Sequence, residues 1–156
     1  MKKLILALFL VLLFVTSVTA AGSVDISSVS NVSVHNVIWR KIITISWVAD
    51  SADGTVPSAS IVANTYGIEG WYLYSVETNP GAIAPTNNYD IVINDANGYD
   101  ICGGLLANRN TINTELVNIG NATHGFPIVL GDLIFVLTNN VVNSATSVLI
   151  LTFVAN

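Results

Sequence analysis

Cysteine occurs once in this chain of 156 residues, at Cys102, so no intrachain disulfide can form even in an oxidising compartment. Charge is scarce too. Only 10% of residues are Asp, Glu, Lys or Arg, and 5 basic against 10 acidic residues leave a formal net charge of −5, which excludes a basic nucleic-acid binder. With 52% hydrophobic residues the chain is not disordered either. The only histidines, His35 and His124, lack the short spacing of a zinc pair, and no glycine-rich phosphate loop opens a helix. The acids fall mainly in turns or at strand ends, where they form no acid–base pair for glycoside hydrolysis. Cys102 has no nearby His signature that would make it a nucleophile. The expectation is a protein that is not an enzyme and requires no cofactor.

What is present begins with an export pattern. Lys2 and Lys3 precede an unbroken apolar run from Leu4 to Val15, and Val18-Thr19-Ala20 places small or β-branched residues before a cleavage site. Residues 1–20 therefore read as a signal peptide and residues 21–156 as the mature domain. The run is shorter than the roughly 20 apolar residues of a membrane span, and no later stretch is a candidate. The implied location is secreted, extracellular or in a virion.

After Ala20 no stretch keeps helical spacing for three turns, whereas period-two alternation recurs between turn residues. Val37, Trp39, Ile43, Ile45 and Trp47 share one parity of a long strand with one buried face. Asp50 to Gly54 is a turn, Ser58 to Asn64 a weaker strand, and Trp71 to Val76 a strand with Trp71 and Leu73 on one face and Tyr72 and Tyr74 on the other. Tyr89 to Asn94 alternates again, Asn97-Gly98 predicts a type I′ hairpin turn, and Tyr99 to Cys102 returns as a short strand. Gly103 to Asn121 fits a helical turn or a long loop. Phe126 to Leu130, Leu133 to Leu137 and Ser147 to Val154 close the chain as apolar strands. About seven to nine strands in one such chain predict an all-β fold, a single β-sandwich or jelly-roll-like domain.

From Trp71 onward the chain resembles small, β-rich proteins of tailed bacteriophages and prophages. The resemblance is carried by Trp71 to Tyr74, Pro85 to Ile93, Asp95 to Ile101, Gly103 to Arg109, and Asn143 to Thr146 with its apolar strand. It implies a structural or decoration role in a virion and brings no catalytic residues. The export segment departs from that setting, since virion parts are normally assembled in the cytoplasm.

Three groups of residues are candidates for function. Asp95, Asn97 and Asp100 gather oxygen atoms on a glycine-bearing turn and could hold calcium, although the spacing misses the Asp-x-Asp-x-Asp-Gly pattern. Tyr72 and Tyr74, beside the loop Ala82 to Asn88, could stack on sugar rings or simply pack in the core. Leu149, Leu151 and Phe153 lie in a last strand that is apolar on both parities, so the strand is either central in a sheet or meets another subunit. After Ala20 the only cations are Arg40, Lys41 and Arg109, which leaves edge strands without the Lys guards common in soluble β proteins. The expected function is a non-enzymatic structural or decoration protein acting by self-association, with a homo-oligomer or larger assembly as its partner. The alternative is a secreted carbohydrate-binding or adhesive module with a glycan ligand.

Overall fold

In a computed structural model, which describes residues 20–34, 37–120 and 125–155, the chain is an all-β, sandwich-like domain. The expected export segment and both histidines lie outside the described residues. Among the described residues the strands are β1 (Ser23–Val34), β2 (Val37–Val48), β3 (Ala59–Ile61), β4 (Tyr72–Pro80), β5 (Asp90–Asn94), β6 (Glu115–Asn118), β7 (Leu133–Thr138) and β8 (Thr146–Val154), with one short helix, α1 (Ala63–Tyr66). A five-stranded sheet has the order β1-β2-β8-β4-β6, a three-stranded sheet has the order β3-β7-β5, and every pairing between strands is antiparallel.

Alternation in the sequence decides which faces meet. Ile43, Ile45 and Trp47 of β2, Leu149, Leu151 and Phe153 of β8, and Leu73 and Val76 of β4 turn inward from the large sheet. Ile61 of β3, Ile91 and Ile93 of β5, and Leu133, Phe135 and Leu137 of β7 meet them from the small sheet. All belong to one apolar cluster, in which the Trp47 and Tyr89 rings pack edge to face at 6.1 Å. Hydrophobic burial on this scale is the main stabilising term of such a domain.

β8 is the central strand of the large sheet, flanked by β2 and β4. Its two apolar parities follow from that position: Leu149, Leu151 and Phe153 are fully buried, while Val148, Ile150 and Val154 are half-buried on the outer face. Leu149, Leu151 and Phe153 thus serve the core and are not available to a second subunit.

Several local expectations need correction. β1 forms the twelve-residue edge of the large sheet, yet no strand is expected there from alternation, because register shifts between Asp25 and Ser28 and between Val32 and Ser33 break its period. Another bulge, between Leu73 and Ser75, makes Tyr74 an extra residue in β4, so Tyr72 and Tyr74 do not simply share a face. The Asn97-Gly98 turn is not type I′, since only Gly98 has positive φ (83°) where that turn needs two such residues. Tyr99 to Cys102 contributes one bridge, Asp100 with Asn94, and then turns; Phe126 to Leu130 likewise contributes a bridge, Ile128 with Tyr72, and no strand. Within the undecided stretch Gly103 to Asn121 the structure forms the short strand β6. The weaker strand shrinks to β3 and gives way to α1, whose first free amide, Ala63 N–H, donates to the Asp132 carboxylate at 2.8 Å.

Candidate functional site

The calcium candidates are held by the backbone around them. Asp95 Oδ1 accepts the amides of Asn97 (2.8 Å) and Tyr99 (2.9 Å), which closes the turn and explains why the chain forgoes the type I′ geometry. Asp100 accepts the amides of Cys102 (3.0 Å) and Gly104 (2.7 Å) with its two oxygens. Asn97 reaches only back to Asp95. Asp95 and Asp100 therefore cap different turns, and among the described residues no three acidic, His or Cys side chains converge as a metal would require. The Tyr99 amide is the main reason the Asp95 carboxyl lies below its ordinary range.

Cys102 is buried behind these turns. Burial pushes its thiol far above the usual cysteine range, and the Asp100 carboxylate adds to the effect. A thiol that stays protonated at neutral pH is a poor nucleophile.

The aromatic candidates divide. Tyr72 is half-buried opposite Val154, whereas Tyr74 is exposed and packs against Phe126 with ring centroids 5.0 Å apart. Tyr99, 67% exposed, rims a cleft of about 460 Å³ lined also by Ile101, Leu105, Ile119 and Pro127. Sequence alternation could not single out Tyr99, because its exposure comes from the cap that Asp95 places beneath it. The loop Ala82 to Asn88 is engaged elsewhere: Thr86 N–H donates to the buried Asn140 Oδ1 at 2.9 Å, and Asn140 Nδ2 donates to Gly54 O at 2.6 Å. Gly54 is required there, since a Cβ at its φ of 73° would stand 2.6 Å from the Val141 carbonyl carbon.

Among the described residues two of the three cations are occupied within the molecule. Lys41 Nζ donates to Gly67 O and lies 4.6 Å from the Trp71 ring centroid, and burial lowers its pKa. Arg109, nearly buried, donates to Ala107 O at 2.9 Å and stands 3.6 Å from the Glu115 carboxylate. Among the described residues that leaves Arg40 as the exposed cation without a partner. The surface meanwhile presents Trp39, Ile112, Leu116, Leu130 and Val141, each more than half exposed.

Sheet edges complete the surface. The free side of β5 is covered by the following loop, through Ile91 N–H to Leu106 O (3.1 Å) and Ile101 N–H to Ile93 O (2.9 Å). β3 has three residues and β6 has four. β1, with twelve residues and without Lys, Arg or Pro, is the long edge among the described residues, and its strand pairing is to β2 alone.

Compared with known proteins, the chain matches no family model, no curated protein and no solved structure, and nothing in those comparisons links it to bacteriophage proteins.

Proposed function

We propose that the protein is a non-enzymatic structural or decoration protein, exported or particle-associated, that works by self-association. The observation that carries this reading is the β1 edge: twelve residues long, paired on one side and free of cationic guards, on a molecule in which two of the three described cations are engaged internally. Edge strands of soluble monomers are usually short, charged, bulged, interrupted by Pro or covered, because their unpaired amides and carbonyls recruit another strand; β1 is bulged at both ends of Ser28 to Val32 but regular between them. An assembling protein has a use for such an edge. The exposed apolar residues add surface that association would remove from water.

The test is the absolute mass of residues 21–156 by light scattering on a sizing column, run as a concentration series. All eight strands and the apolar core lie between Ser23 and Val154, so this span carries the whole described fold. The reading expects a discrete oligomer or filament.

A second reading, a secreted carbohydrate-binding module, is favoured by Tyr99 at the rim of its cleft and by the Tyr74–Phe126 pair. It moves the aromatic platform away from Tyr72. A glycan screen with Tyr99→Ala as the comparison tests it: binding that Tyr99→Ala leaves intact, or no binding at all, ends that reading.

A further inference from the structure

We infer that two copies of the chain join β1 to β1 in antiparallel fashion about a two-fold axis at Ser30, fusing their five-stranded sheets into one continuous sheet. This inference rests on the self-association proposed above and names its interface.

In an antiparallel ladder, alternate residues direct their amide and carbonyl away from the partner strand. β1 is paired with β2 at Ser23 to Asp25 and at Ser28 to Val34, so its other side presents such groups along those two stretches. The two register shifts divide that edge. At the first, the carbonyl of Ile26 is taken by the Tyr66 hydroxyl at 3.3 Å; at the second, the ladder slips between Val32 and Ser33. Bulges bend a strand and raise its local twist. Between them Ser28 to Val32 pairs without interruption with Thr44 to Arg40, which leaves one regular segment able to accept a further strand.

The centre of that segment is Ser30. Antiparallel self-pairing about it sets Ser30 opposite Ser30 of the partner subunit, Val29 opposite Asn31 of the partner subunit, and Ser28 opposite Val32 of the partner subunit. No charged residue lies in the segment, so no like charges face each other across the axis. The side chains of Ser30, Asn31 and Val32 are exposed. A second β1 is also the best-matched occupant of this edge. β3 and β6 offer three and four residues, and β5 is covered by its own loop, so no other edge among the described residues is long enough to pair with the segment in full. Pairing of like with like about a two-fold axis is closed and self-complementary, the commonest form of homo-oligomer contact.

Cysteine cross-linking reads the register directly. Directly opposed residues of an antiparallel pair have Cα atoms about 4.5–5.5 Å apart, inside the range of about 4.4–6.8 Å that a disulfide spans. Ser30→Cys should therefore give covalent dimers under mild oxidation of residues 21–156. Thr138→Cys, exposed at the end of β7 in the other sheet, should not. The buried Cys102 stays silent in both. Ser30→Lys places two cations face to face across the axis and should weaken association at least tenfold, with an unchanged melting temperature for the dissociated domain. If the wild-type chain associates but Ser30→Cys does not cross-link, or Ser30→Lys leaves the mass unchanged, the β1 interface is wrong while self-association stands. A wild-type chain that is monomeric at every concentration overturns both.

Discussion

Replacing Asn140 with Ala should be among the most damaging single polar substitutions in the domain. Asn140 is 8% exposed and joins three loops: its Oδ1 accepts Thr86 N–H at 2.9 Å, and its Nδ2 donates to Gly54 O at 2.6 Å and to Val142 O at 3.2 Å. Truncation leaves the Thr86 amide and the Gly54 carbonyl without these partners. A buried backbone group left unpaired costs about 1–3 kcal/mol; Gly54 is buried and Thr86 half-buried, so Gly54 bears the full cost and Thr86 a smaller one, and the two together predict a loss of about 2–5 kcal/mol. That is a large part of the roughly 5–15 kcal/mol that holds a domain folded. With an unfolding entropy of about 2.1 cal/mol/K per residue, a loss of about 3 kcal/mol lowers the melting temperature of residues 21–156 by roughly 10 °C. Urea unfolding and calorimetry under conditions that keep the protein monomeric measure both quantities. Asn140→Asp sharpens the test, because it keeps the acceptor for Thr86 and sets a carboxylate against Gly54 O. Folding raises the pKa of that carboxyl, so the variant's stability relative to the unsubstituted chain should be highest below about pH 4 and fall as the pH rises through the raised value. A loss below 0.5 kcal/mol for Asn140→Ala, or an Asn140→Asp variant whose deficit relative to the unsubstituted chain is no larger at pH 7 than at pH 4, would refute the reasoning.

Three further outcomes are expected. The Tyr89 hydroxyl is buried, its pKa is raised chiefly by that burial, and the Ser147 and Thr78 hydroxyls approach it without reaching hydrogen-bonding geometry, so Tyr89→Phe should leave stability unchanged or raise it by up to about 1 kcal/mol in urea unfolding. Asp53 and Asp95 are held below the usual carboxylate range by hydrogen bonds, from Thr55 and from the Tyr99 amide respectively. Their contribution is present above about pH 4 and is lost as the pH falls through the lowered folded values, so Asp95→Asn should flatten the acid limb of a stability profile. Leu151→Ala, at a fully buried site of the central strand, should cost about 2–5 kcal/mol whatever the oligomeric state, measured by the same unfolding assay on the monomer.

The sequence made the core faces legible because burial writes a period of two wherever a strand runs straight. Ile43, Ile45 and Trp47, and Tyr89, Ile91 and Ile93, are buried as their alternation predicts. β8 was readable as apolar on both parities, but its place between β2 and β4 depends on pairings distant in the chain. β1 is not legible in the sequence because its bulges shift the parity of Val24 relative to Val29, and its serines give no apolar contrast. The turn after β5 departs from the type I′ expectation because the Asp95 side chain, rather than Asn97-Gly98 alone, sets the geometry. Scarcity of cations was visible from composition. The engagement of Lys41 with Gly67 and Trp71, and of Arg109 with Ala107 and Glu115, could come only from the three-dimensional arrangement.

The most direct test of the account is the absolute mass of residues 21–156 across a concentration series spanning about three orders of magnitude. A mass that settles at an even multiple of the monomer and falls only on strong dilution is the predicted result. A mass that stays at one chain throughout would contradict the account, because the regular Ser28 to Val32 segment of the β1 edge would then be inert.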